Sequence, residues 1–123
     1  MMKRLILAGL CIFSLVALTS VAYSQEVQVG SFSLSQSDEG YSLHKGSGER
    51  VASIEVTFPK SFNAKPEVVL CLSGIDGEKQ TNLRIVLKAS SVSRDGFTIQ
   101  AKTWADSKVY SVNGSWIAVA PEK

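Results

Sequence analysis

The sequence predicts an all-β protein, an antiparallel sandwich of six to seven strands, and three observations carry that reading. Several runs alternate apolar and polar residues with a period of two, as half-buried strands do. Turn signals such as Asp76-Gly77, Asp95-Gly96 and Asp106-Ser107 separate those runs at short intervals. After the N-terminal apolar stretch, no segment shows helical periodicity.

The clearest strand is Phe97–Lys102: Phe97, Ile99 and Ala101 point one way, and Thr98, Gln100, Lys102 and Trp104 the other. A tryptophan at the end of a polar face, next to a turn, marks a candidate contact residue. Arg50–Phe58 alternates as well, with Ala52, Ile54, Val56 and Phe58 inward, and Pro59 ends it because proline gives nothing to the ladder. Val68–Leu72 is apolar on both parities. Such a strand lies in the middle of a larger sandwich or against another subunit, and in a chain this small the second is preferred. Asn82–Val92 is expected as a strand with Leu83, Ile85, Leu87 and Ala89 inward and Asn82, Arg84, Val86 and Lys88 outward. Val109–Ala120 closes the set, with Trp116 as core beside Val112, Ile117, Ala118 and Val119, and Gly114 as a candidate bulge. Val27–Leu34 and Tyr41–His44 are weaker strand candidates, set between the turn-rich loops 35–40 and 45–49.

The chain starts with a basic pair, Lys3 and Arg4, followed by an apolar run from Leu5 to Leu18 and a small-x-small site at Ala22-Tyr23-Ser24. That pattern predicts a signal peptide over residues 1–24. An uncleaved anchor is the competing reading, but the run falls short of the ~20 residues a membrane span needs. Residues 25–45 then form an N-terminal strand and loop segment, and 46–120 the main domain. The product is expected to be secreted, or periplasmic in a bacterium, with no membrane insertion after cleavage. Of 13 Lys plus Arg, two lie in the signal, so eleven basic residues face eleven acidic ones. A neutral chain argues against a nucleic-acid partner, which needs a basic patch. Cleavage also removes Cys11 and leaves Cys71 alone. Flanked by Val69, Leu70 and Leu72, it is expected to be buried, the alternative being a link between two chains.

Little supports catalysis. The sequence holds one histidine, His44, no nucleophile motif, no metal-ligand cluster and no glycine-rich phosphate loop, so neither an enzyme nor a cofactor is expected. Sugar binding is better supported. A sugar offers hydroxyls and one apolar C–H face, so its site needs an aromatic wall and charged or amide groups. Trp104, Tyr110 and Arg84 supply such a set; their plain structural readings are an exposed packing residue, a core residue and a solvated strand charge.

Phe58-Pro59-Lys60, Pro66-Glu67-Val68-Val69-Leu70, Asp76, Asn82-Leu83-Arg84, Ser91-Val92-Ser93 with Gly96-Phe97, Thr103-Trp104, Lys108-Val109-Tyr110-Ser111 and Ser115-Trp116-Ile117 occur in an order and spacing that resemble the H-type lectin domain. This is the group of the snail agglutinins and the C-terminal domain of slime-mould discoidins. The resemblance covers roughly Arg50 to Val119. It implies a six-stranded sandwich, a homotrimer, and calcium-independent binding of N-acetylgalactosamine or galactose near the subunit boundaries. Arg84 resembles the arginine that bonds sugar hydroxyls, Trp104 the tryptophan that contacts the sugar, and Tyr110 the tyrosine that packs on it. Two positions depart from the pattern: Ala105 stands where the family's best binders carry histidine, and Ser47 where they carry aspartate. The expected function is therefore an exported lectin acting through several sites on dense glycans. The alternative is a trimeric structural or adhesion module that binds protein.

Overall fold

The computed structural model describes residues 25–121; the expected signal peptide lies outside the described residues. Six strands form: β1 Gln25–Ser35, β2 Arg50–Thr57, β3 Glu67–Gly77, β4 Val86–Ser90, β5 Gly96–Thr103 and β6 Val109–Pro121. They make two antiparallel three-stranded sheets, ordered β1-β6-β3 and β2-β5-β4. The period-two expectation for Phe97, Ile99 and Ala101 holds: all three are buried, and they meet Phe32, Leu34, Val112, Trp116 and Ala118 of the other sheet in one core.

An aromatic cluster closes one end. Phe58 packs edge-on against Phe62 with ring centres 4.8 Å apart, and Phe97 meets Trp116 at 5.5 Å, nearly perpendicular. Such geometry sets a ring's positive edge against its neighbour's negative face. Phe58 and Phe97 lie where β2 ends and β5 begins, so the opposite end of the β2–β5 pair, at Arg50 and Thr103, is left to the loops.

The N-terminal strand is an integral part of the first sheet, since β1 pairs with β6 along its whole length, from Gln25↔Pro121 to Ser35↔Ser111. Tyr41–His44 is not a strand. It plugs the sandwich instead: the Val109 N–H donates to the Leu43 carbonyl at 2.9 Å, and the Tyr41 hydroxyl donates to the Val109 carbonyl at 2.6 Å. Gly114 is not the bulged residue. The two register shifts of the β3–β6 pair fall between Leu72 and Gly74 and between Asp76 and Gly77, the second passing over Tyr110 of β6, and Gly114 pairs flush with Phe32 of β1. Glycine is required there because a Cβ would run into the Phe32 ring and the Cys71 carbonyl.

Three further expectations are corrected. The strand expected over 82–92 covers only Val86–Ser90, and Leu83 is exposed rather than inward. Side-chain hydroxyls take the carbonyls that a longer strand would give to the ladder: Thr103 Oγ1 bonds the Arg84 carbonyl and Ser107 Oγ the Asn82 carbonyl. Cys71 is exposed, because β3 is an edge strand with its apolar residues on both faces and no third layer over it. Asp76-Gly77, expected as a turn after the apolar run, is the end of β3, which runs on through both residues to Gly77.

Candidate functional site

The loop end of the sandwich gathers four of the five residues singled out in the sequence. Trp104 follows the last residue of β5 and is 38% exposed. It opens a tight turn, closed by the Ser107 N–H on the Trp104 carbonyl at 3.3 Å. Asp106 and Ser107 of that turn grip the guanidinium of Arg84: Nη1 donates to Asp106 Oδ1 at 2.7 Å and to Ser107 Oγ at 3.0 Å. The hydrogen bond from Arg84 holds the Asp106 carboxyl below its usual range. Ser107 and Thr103 are fully buried and tie this turn to the backbone of residues 82–84. Arg84 is thus fixed by a hydroxyl and a carboxylate on one nitrogen, while among the described residues its Nε and Nη2 have no hydrogen-bond partner.

Ala105 occupies the left-handed region, at φ +55°, unusual for a residue with a Cβ. Its carbonyl is held from two sides, by the Gly48 N–H at 2.9 Å and by Arg50 Nη2 at 3.0 Å. Gly48, at φ +80°, lies next to Ser47, so this bond brings the exposed Ser47 loop alongside the Trp104–Ala105 turn. Arg50 adds bonds to the Gly48 and Lys45 carbonyls at 2.9 and 2.7 Å. A side chain that reads from sequence as a strand-start charge is the staple of the loop.

Tyr110 stands apart. It lies on β6, in the other sheet, and its hydroxyl donates to Glu78 Oε2 at 2.6 Å. That bond pulls the Glu78 carboxyl down and pushes the Tyr110 phenol up. No hydrogen bond joins Tyr110 to Arg84 or Trp104 among the described residues. The expectation of a core tyrosine is half met: the ring is partly buried, and its polar tip is spent on Glu78.

Asp106, Ser107 and Glu78 were not singled out as site residues by sequence reasoning. The one signal for the first two is their place in the turn after Trp104. A roomier hollow, about 370 Å³, opens at the seam between β1 and β2, lined by Asp38, Glu39, Tyr41 and Val51 among others. It lacks the pairing of a fixed cation with an exposed aromatic, and the Tyr41 hydroxyl is already used.

Comparison with known proteins bears on this geometry. The model of the H-type lectin domain matches residues 53–119. A discoidin-1 chain of Dictyostelium discoideum is 36% identical over 81 residues, 65% of this chain and 32% of that protein. A protein from Fuscovulum blasticum, described as ATP synthase subunits region ORF 7, is 35% identical over 81 residues, 66% of this chain and 70% of that one. The solved structure of recombinant discoidin II of Dictyostelium discoideum superposes with a TM-score of 0.72 at 28% identity, covering 85% of this chain and 40% of that one. The matched stretch therefore spans only about a third of the discoidin-1 chain. With more than half of its residues under the family model, and with the strands and the Arg84–Trp104 end in place, the chain belongs to the H-type lectin domain family.

Proposed function

We propose that this protein is an exported lectin that binds terminal N-acetylgalactosamine or galactose on dense glycans. The observation that carries the reading is the anchored arginine beside the exposed tryptophan. Asp106 and Ser107 fix Arg84 with donors to spare, which take sugar hydroxyls without a further ordering cost. Trp104 is the apolar wall for the sugar's C–H face, while Tyr110, apart in the other sheet with its hydroxyl held by Glu78, would reach a sugar only from a neighbouring copy in the assembly. Binding rather than turnover fits the family.

Assembly completes the proposal. On the outer face of the first sheet, Val29, Ile117 and Val69 stand in register across β1, β6 and β3, exposed by 66, 39 and 56%. An apolar row of this kind is expected to be covered, here by the same face of two further copies in a homotrimer. Three weak sites then act together on one glycan surface.

A structural or adhesion module is the second reading. Ala105 and Ser47 favour it, since they replace the histidine and aspartate of the family's best binders. Competition separates the two. With the purified chain bound to a glycan-coated surface, free N-acetylgalactosamine should release it, and Arg84→Ala with Trp104→Ala should prevent capture without unfolding the protein. Capture that free sugar leaves untouched would favour the adhesion module.

A further inference from the structure

The outer face of the second sheet differs in kind from that of the first. Next to Trp104 a hollow of about 320 Å³ is lined by Glu49, Val86 and Lys102. It runs on along the sheet as a shallow groove of about 220 Å³, lined by Glu49, Val51, Val86, Lys88, Gln100 and Lys102. The strand register explains why these residues share one face. Val51, Lys102 and Val86 form one row across β2, β5 and β4, and Ser53, Gln100 and Lys88 form the next. Two ammonium groups therefore stand diagonally on adjacent strands, with a side-chain amide between them. Glu49 is the one carboxylate in the lining, and among the described residues the only ion pair is Arg84–Asp106, so neither lysine is neutralised by it. Lys102 sits on the central strand and is partly buried, so its stem packs on the sheet while its charge faces the groove. Glu55 lies one row beyond, outside the lining.

We infer that this groove is a second subsite, which takes the next residue of the glycan and selects one carrying an anionic group, a uronate carboxylate or a sulfate ester. The inference rests on the reading of Trp104 as the contact for the terminal sugar. From there the groove is the continuous path along the protein. Lys102 and Lys88 meet the anion, Gln100 exchanges hydrogen bonds with ring hydroxyls, and Val51 and Val86 pack on C–H groups. Glu49 disfavours an anion placed on the terminal sugar itself, so the charge is read at the second position and not the first.

The test uses three saccharides that share a terminal N-acetylgalactosamine and differ in the second residue: neutral, uronate or sulfated. The full mature chain should bind one or both acidic forms about tenfold more tightly than the neutral one at low salt, and the margin should shrink as salt rises. Whether carboxylate or sulfate gives the margin identifies the source of the anion. Lys88→Gln with Lys102→Gln should bring the ratio close to one while binding of the neutral saccharide persists, and Lys88→Arg with Lys102→Arg should keep the preference. Equal binding of all three by the unaltered protein would overturn the subsite and leave the lectin standing. Binding of none would remove both. A preference that survives the double glutamine variant, or competition by polyglutamate as strong as by the uronate saccharide, would also overturn it.

Discussion

The two sheets have the same strand count, the first with strands of 11, 13 and 11 residues and the second with strands of 8, 8 and 5, and they face their surroundings in opposite ways. Strands β1, β3 and β6 contain no lysine or arginine at all; Arg50, Lys88 and Lys102 all belong to β2, β4 and β5. The first sheet turns valine, isoleucine and serine outward, and the charges on its two edge strands are the carboxylates Glu26, Glu67 and Asp76, with none of the lysines that often protect such edges. The second turns lysines, Gln100 and Glu55 outward and ends in Trp104. The difference is that one face is apolar and the other carries the lysines. On the proposed reading, assembly belongs to the first, and recognition to the second and to its loop end.

The largest effect expected from breaking this division comes from Ile117→Asp. A carboxylate placed in the middle of the Val29–Ile117–Val69 row would be buried without a partner in the assembly, at a cost of several kcal/mol per copy. Sedimentation should show monomers, with the fold retained by circular dichroism because position 117 faces outward. An unchanged mass would show that this face is not the interface. Next in size is Gly114→Ala, on the inner side of the same sheet. The added methyl meets the Phe32 ring and the Cys71 carbonyl, so stability should fall by about 1–3 kcal/mol, read from denaturant unfolding of a monomeric background.

At the recognition end, Tyr41→Phe removes the hydrogen bond to the Val109 carbonyl and should cost about 1 kcal/mol. The pH dependence has a definite sign. Burial, with the Asp38 carboxylate adding to it, pushes the Tyr41 phenol up to about 12. In the unfolded chain it ionises near 10, so its contribution is whole below about pH 10 and is lost as pH rises toward 12. The phenylalanine variant should lack that alkaline loss. At the acid side the sign reverses. Asp106 is held below its usual range by Arg84, so the clamp persists through mildly acid pH, and sugar binding should fall only once the pH drops below the ordinary carboxylate range. The smallest change is a gain. Ala105→His with Ser47→Asp restores the family's side chains on two segments that the Gly48–Ala105 bond already holds together, and should tighten sugar binding several-fold by calorimetry. Histidine tolerates the left-handed backbone at 105 better than most residues.

The strands were legible where one face is core and the other water, because there the period of two is unmixed. Arg50–Phe58 and Phe97–Lys102 are of this kind, and they become β2 and β5 with shifts of a few residues at their ends. Legibility failed where apolar residues lie outside the core. Cys71 sits among Val69, Leu70 and Leu72 and reads as buried, but hydrophobicity alone does not tell a core face from an exposed apolar one. It failed again at residues 82–85, where Thr103 and Ser107 hydroxyls compete for backbone carbonyls across 19 and 25 residues of sequence, a pairing no local pattern displays. Arg84 and Trp104 stand out in the sequence by residue type and strand position, whereas Ala105 and Ser47 stand out only through the family pattern. Their support, the Asp106–Ser107 grip and the Arg50 staple, is visible only in three dimensions.

The most direct test of the central claim is a glycan array probed with purified protein comprising residues 25–123 and with its Arg84→Ala/Trp104→Ala variant. The expected result is binding to glycans ending in N-acetylgalactosamine or galactose, lost in the folded double variant. A blank array from the folded, assembled protein, or equal signals from both forms, would contradict the lectin reading.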